Sequence, residues 1–290
     1  MTMKSYLDII TCKRIENHIV RIAEATYHWL CYVQNITDSN VIAESAIKYP
    51  FVECLERIGF DNIHLEAYHP VFPNRRMDIF CGDVATESNT GITNERAKLY
   101  VEFKYVSPYT RNKQEQQRIY NDIMRLCAFK TKSPQTHCYF LICGNTVIFN
   151  DCFMNIMQPA KTKPTMLERT LSEGKALKPT GVYADFFSFD EKNRSKDFPI
   201  DSEYYDKFCK EYGFESIKKG TVIKTNLISL FPKNDKLQSP QTLAIWEVVS
   251  DSEVINNLNN VQYVNPSIKE YLCSLFQRKR THNESSNLSR

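Results

Sequence analysis

Apolar residues recur at three- and four-residue spacings from Ile15 through Ile19, Ile22, Ala23, Trp29, Leu30 and Val33, which predicts a helix over residues 13–33. The polar stretch 35–40 then supplies a loop and helix caps. Ile47, Phe51, Leu55 and Ile58 mark the apolar stripe of a second helix over 41–58, with Pro50 inside it and Gly59 closing it. Glu44 falls near the middle of that stripe. A carboxylate there needs a partner, a metal or a lysine, or serves the helix dipole from the first turn. After Gly59 the period changes to two. Residues 62–71 read as a strand. In the next strand Arg76, Asp78 and Phe80 share one face while Met77, Ile79 and Cys81 share the other. A polar loop over 82–98 leads to a third strand, where Glu102 and Lys104 project together and Val101, Phe103 and Tyr105 point away. Paired as a long-looped hairpin, the two strands bring Asp78, Glu102 and Lys104 onto one surface.

A helix follows over 111–130, with Gln116, Ile119, Ile123, Leu126 and Cys127 on one side, Glu115 and Asp122 bordering it and Arg125 further round. The apolar run 137–143 has strand length and reads as a central buried strand. Gly144-Asn145 is a turn, with 147–149 extending it as a hairpin. Residues 158–180 read as an irregular connector with a short helix at 166–172, and the aromatic stretch 184–190 packs on the core. Residues 190–202 are polar and break the pattern. A helix over 203–212, strands over 221–231 and 242–249, and a helix over 266–276 complete the expected elements. The chain divides into an N-terminal helical segment (1–40), a core (41–150), a C-terminal α+β extension or recognition subdomain (151–276) and a basic polar tail (277–290).

Composition narrows the class. Of 290 residues 42% are hydrophobic and 24% charged, the balance of a globular protein. No apolar run reaches the roughly 18–20 residues that span a bilayer, and residues 1–10 show no secretory signal, so a cytoplasmic protein without a membrane partner is expected. The ten cysteines form no Cys-x-x-Cys pair and read as small core residues in a reducing compartment. The net charge of +3 is matched by the tail alone, so any nucleic-acid surface has to be a local patch. Residues 151–290 carry no Gly-rich phosphate loop and no nucleophile elbow.

The order helix, strand, strand, strand, helix, strand over 41–143 resembles the PD-(D/E)xK phosphodiesterase superfamily, which includes many restriction and repair endonucleases. The resemblance rests on Glu44, Asp78, Glu102-Phe103-Lys104 and the helix carrying Asn121-Asp122 and Arg125-Leu126. Met77 stands where the family has a proline. The resemblance implies an α/β fold with a restriction endonuclease-like core, an α-β-β-β-α-β mixed sheet flanked by helices. It implies a Mg²⁺-dependent endonuclease acting on DNA, with Mn²⁺ able to substitute, of restriction or other defence type. Asp78, Glu102, Glu44 and the Phe103 backbone carbonyl would bind metal, and Lys104 would orient or activate the attacking water. The chemistry agrees: a phosphodiester repels hydroxide, and two or three carboxylates can hold a hard cation that keeps its waters. Arg75, Arg76, Arg111, Lys113 and Lys130 are candidates for phosphate contacts, and a homodimer is a candidate assembly. The rival reading is an inactive nucleic-acid or protein binding module on the same scaffold.

Overall fold

The computed structural model describes residues 3–36, 43–72, 74–82, 99–107, 110, 112–154, 183, 186–213, 217, 221–233 and 239–250. Helices α1 (Met3–Ile36) and α2 (Glu44–Arg57) precede strands β1 (Ile63–Tyr68), β2 (Arg76–Cys81) and β3 (Leu99–Val106). Helix α3 (Lys113–Lys132) leads to β4 (His137–Asn145), a helical turn α4 (Thr146–Phe149) and a π-helical turn (Asn150–Met154). Strand β5 (Ser195–Phe198), helix α5 (Glu203–Tyr212), β6 (Ile223–Phe231) and β7 (Gln241–Ser250) complete it. The seven strands form one mixed sheet in the order β1-β2-β3-β4-β7-β6-β5. β3 and β4 are parallel and every other pair is antiparallel. A parallel pair needs a long crossover, and α3 supplies it.

The apolar run of β4 is explained by its place at the middle of the sheet, where every residue but Asn145 is buried. Its alternate residues feed two cores. Tyr139, Leu141 and Cys143 face α1 and α2, against Ile22, Leu30, Ile47 and Phe51. Cys138, Phe140 and Ile142 face α3 and α5, against Ile123, Leu126, Phe208 and Trp246. The described residues therefore form a helix–sheet–helix sandwich. The aromatic stretch does pack on the core, with Phe186 and Phe187 buried and Phe187 against Trp246 at 4.6 Å.

Some elements depart from the sequence pattern. β4 runs on through Gly144 to Asn145, and the following residues turn into α4 instead of a hairpin strand. Asn145 causes the switch: its Oδ1 accepts from the Val147 and Ile148 amides, at 3.0 and 3.4 Å. The polar stretch 190–202 contains β5, which forms an edge strand by pairing Ser195–Phe198 with Ile223–Asn226. The strands of the second half extend the sheet of the first. The expectations for 82–98, 158–180, 266–276 and 277–290 lie outside the described residues. Eight of the cysteines are free thiols, five of them buried, and no described helix is long and apolar enough to cross a membrane.

Candidate functional site

The site forms where two strands part. β2 and β3 pair through Cys81↔Leu99, Phe80↔Tyr100 and Ile79↔Val101, and no further. Asp78 sits at the opening. Its Oδ2 accepts the Phe103 amide at 2.8 Å, and its Oδ1 receives the Lys48 ammonium at 2.6 Å. Lys48 lies one helical turn after Glu44 in α2, is 8% exposed, and also donates to Glu66 Oε1 at 2.5 Å. Glu66 falls between the registered pairs Leu65↔Ile79 and Ala67↔Met77, and its backbone is left-handed at φ +55°. That conformation costs a side-chain-bearing residue about 1–2 kcal/mol. Alternation slips here: Met77 packs with Phe80 on the α3 side, while Ile79 and Cys81 pack toward α2. The expected shared face of Met77, Ile79 and Cys81 is corrected by this local twist, which leaves Asp78 between the two faces of the sheet.

Glu102 and Lys104 project from β3 on the α3 side. Glu102 is 2% exposed; it accepts from the Tyr100 hydroxyl and, at 3.1 Å, from Arg125 Nη2. The same nitrogen lies 2.7 Å from Asp122 Oδ1. Lys104 Nζ lies 3.6 Å from Glu44 Oε2 and 3.5 Å from Glu115 Oε2, and Glu115 also pairs with Arg118. The ion pairs fall into three groups: Lys48 with Glu66 and Asp78, Lys104 and Arg118 with Glu44 and Glu115, and Arg125 with Glu102 and Asp122.

Burial and these neighbours shift the protonation equilibria. Burial, opposed by Arg125 and reinforced by Asp78 and Asp122, pushes the Glu102 carboxyl well above the usual carboxylate range. Burial also raises Asp122 and Glu44, against the opposing charge of Lys104, and Asp78 adds to both. Burial alone would lower Lys104, but Asp122, Glu44 and Glu115 together hold its ammonium above the ordinary value.

Glu44, Asp78, Glu102, Phe103 and Lys104 all line one cleft of about 590 Å³, joined by Asp122 and Arg125 from α3 and by Lys207, Glu211 and Tyr212 from α5. The structure thus brings together the residues the sequence singled out. Among the described residues no three His, Cys, Asp or Glu side chains converge closely enough to hold a metal ion. Asp78 and Glu102 are each engaged by an internal cation instead. The donor set nevertheless suits a hard divalent ion, since its oxygens are carboxylate.

Of the expected phosphate contacts, Arg75 and Lys113 line the cleft. Arg76 lies over the Tyr68 ring at 5.2 Å. Lys130 does not join them: it is 3% exposed and donates to the Thr136 carbonyl at 2.9 Å, at the far end of α3. Arg111 is outside the described residues. Lys48, Glu115, Asp122, Arg125, Lys207 and Glu211 are site residues to which the sequence pattern assigned no role. The i,i+3 spacing of Asp122 and Arg125 did signal a pair on one face of the helix, though not its burial. Lys48 carried no such signal; the lysine partner that Glu44 called for is Lys104. Compared with known proteins, the chain matches no family model, no curated protein and no solved structure.

Proposed function

We propose that this chain is a metal-dependent phosphodiesterase that cleaves DNA, built on a restriction endonuclease-like core spanning α2 to β4. The observation that carries the reading is the convergence of Glu44, Asp78, Glu102 and Lys104 on one cleft. The strand order supports it too: the three strands β1–β3 lie in sequence, and α3 crosses to a parallel β4. Asp78, Glu102, Glu44 and the Phe103 carbonyl are the groups that would hold Mg²⁺ or Mn²⁺. When bound, the ion would neutralise a phosphate oxygen and lower the pKa of a water. Lys104, whose ammonium is favoured by three carboxylates, serves as a cation that orients the water and stabilises developing charge, not as a neutral base. Lys113 and Arg75 offer positive charge at the rim.

The test is cleavage of supercoiled plasmid and of single-stranded DNA with Mg²⁺, Mn²⁺ or EDTA. Metal-dependent cutting is expected, reduced on the order of 10²–10³-fold in Lys104→Ala and lost in Asp78→Asn. Cutting that survives both substitutions would remove these residues from the mechanism. A second reading, an inactive binding module, is favoured by one observation: Asp78 and Glu102 already satisfy their charge with Lys48 and Arg125. Absence of carboxylate-dependent Mg²⁺ or Mn²⁺ binding by titration calorimetry would select it.

A further inference from the structure

The carboxylates lie at the floor of the cleft. Glu102 is 2% and Asp122 8% exposed, so a phosphate must descend to reach them. The cleft, at about 590 Å³, is the size of a small-ligand site, within the on-the-order-of 300–1,000 Å³ typical of such pockets. One wall is α5, and it is fixed. Tyr205 and Phe208 are buried in the core. The Tyr204 hydroxyl donates to Gln116, and the Tyr204 carbonyl accepts from Gln117 at 3.2 Å. A base inside a duplex is paired and stacked on its neighbours and is not free to lie on a side chain of the wall; an unpaired base is.

The wall also offers what an unpaired base requires. Arg75 lies with its guanidinium 4.9 Å over the Tyr212 ring, whose ring in turn stacks on Phe208 at 4.6 Å. Its Nη2 bonds Glu211 at 2.7 Å, and Glu211 also accepts from Asn121 at 3.2 Å. The guanidinium is thereby held as a flat cationic plate at the cleft wall, still 45% exposed. Such plates stack on bases of any identity. Lys207 and Lys113 stand exposed at the same cleft, where backbone phosphates would pass.

We infer that the cleft takes a single-stranded stretch of nucleic acid, with a base on the Arg75 plate and the neighbouring phosphate at the carboxylate floor. This rests on the nucleic-acid reading above and names its substrate form. The test is fluorescence anisotropy of the full chain with labelled oligo-dT and with a hairpin duplex of equal charge, in EDTA at several salt concentrations. Single-strand binding is expected on the order of tenfold tighter than duplex binding. Arg75→Ala is expected to weaken it on the order of tenfold, and Arg75→Lys, which keeps the charge but loses the plate, nearly as much. Lys207→Ala is expected to flatten the salt dependence by about 0.7 in log–log slope, the share of one single-strand phosphate contact. Melting curves for each variant exclude misfolding. Duplex binding equal to single-strand binding, no binding of either probe, or full rescue by Arg75→Lys would overturn the inference. Preferred single-strand binding without cleavage in Mg²⁺ would remove the nuclease reading and leave this one standing. Mg²⁺-dependent cutting with no single-strand preference would do the reverse.

Discussion

Lys48→Met tests how Asp78 is held, and whether it takes the metal that the proposed function requires. Methionine keeps the apolar stem of Lys48 and removes the ammonium. Lys48 bridges Asp78, whose side chain is 13% exposed, and Glu66, whose side chain is 46% exposed. The Glu66 contact contributes little, because water replaces it. Leaving Asp78 without its cation is the costly part: breaking a buried pair by removing one partner costs about 3–5 kcal/mol. The lower figure applies, since Asp78 retains the Phe103 amide at 2.8 Å. A loss of about 3 kcal/mol in a chain of this size lowers Tm by about 6–12 °C. The assay is a thermal melt in EDTA beside one in Mg²⁺. Freed from Lys48, Asp78 becomes a better metal ligand, so the Mg²⁺-induced rise in Tm should exceed that of the wild type. At a metal concentration a hundredfold above Kd the gain is about 2.7 kcal/mol, which restores most of the loss. A Tm in EDTA within about 2 °C of wild type would refute the buried-clamp argument. A full drop with no larger Mg²⁺ response would refute Asp78 as a ligand.

Three further outcomes follow from the geometry. Because burial favours Glu102 as the neutral acid, its contribution to folding is fully present below the ordinary carboxylate pKa of about 4.3 and is lost as pH rises through the raised value. Tm in EDTA should therefore fall more steeply with rising pH in the wild type than in Glu102→Gln; equal slopes would contradict the assignment. Phe51, fully buried and edge-on to Phe103 at 5.0 Å, should cost about 3–5 kcal/mol as Phe51→Ala in urea unfolding. A Cβ on Gly144 would meet Val106 Cβ at 2.9 Å and its backbone N and O at 3.1 Å. Gly144→Ala should accordingly destabilise by about 1–3 kcal/mol, read by the same unfolding curves.

The elements most legible in the sequence were those whose period reports a single environment. β4 is buried on both sides and read as an unbroken apolar run. α5 has Tyr205 and Phe208 in the core and matched its expected bounds, 203–212. β5 was illegible for the opposite reason: an edge strand in a polar stretch has one partner and little apolar pattern, and only its register with β6 makes it a strand. The slip at Met77 was illegible because alternation within 75–80 contains no trace of it; the left-handed Glu66 stands beside it on the neighbouring strand.

The site divides along the same line. Asp78, Glu102 and Lys104 were legible because a strand repeats every two residues and displays its polar face within a few positions. Their partners are non-local. Lys48 reaches Asp78 across 30 residues and Arg125 reaches Glu102 across 23, from helices on opposite faces of the sheet. Charge complementarity alone does not choose among 37 basic residues; only the strand order and the parting of β2 from β3 do. The α5 wall shows the same limit more sharply. Its helical period was readable, yet the direction of its polar face was not. Pinning Tyr205 and Phe208 in the core turns Lys207 and Glu211, one helical turn apart, toward the cleft. A residue so placed enters the site through packing on the neighbouring face of its own helix. Substituting Phe208 should therefore disturb the cleft wall more than substituting Lys207 itself, even though Phe208 makes no contact with a substrate seated there.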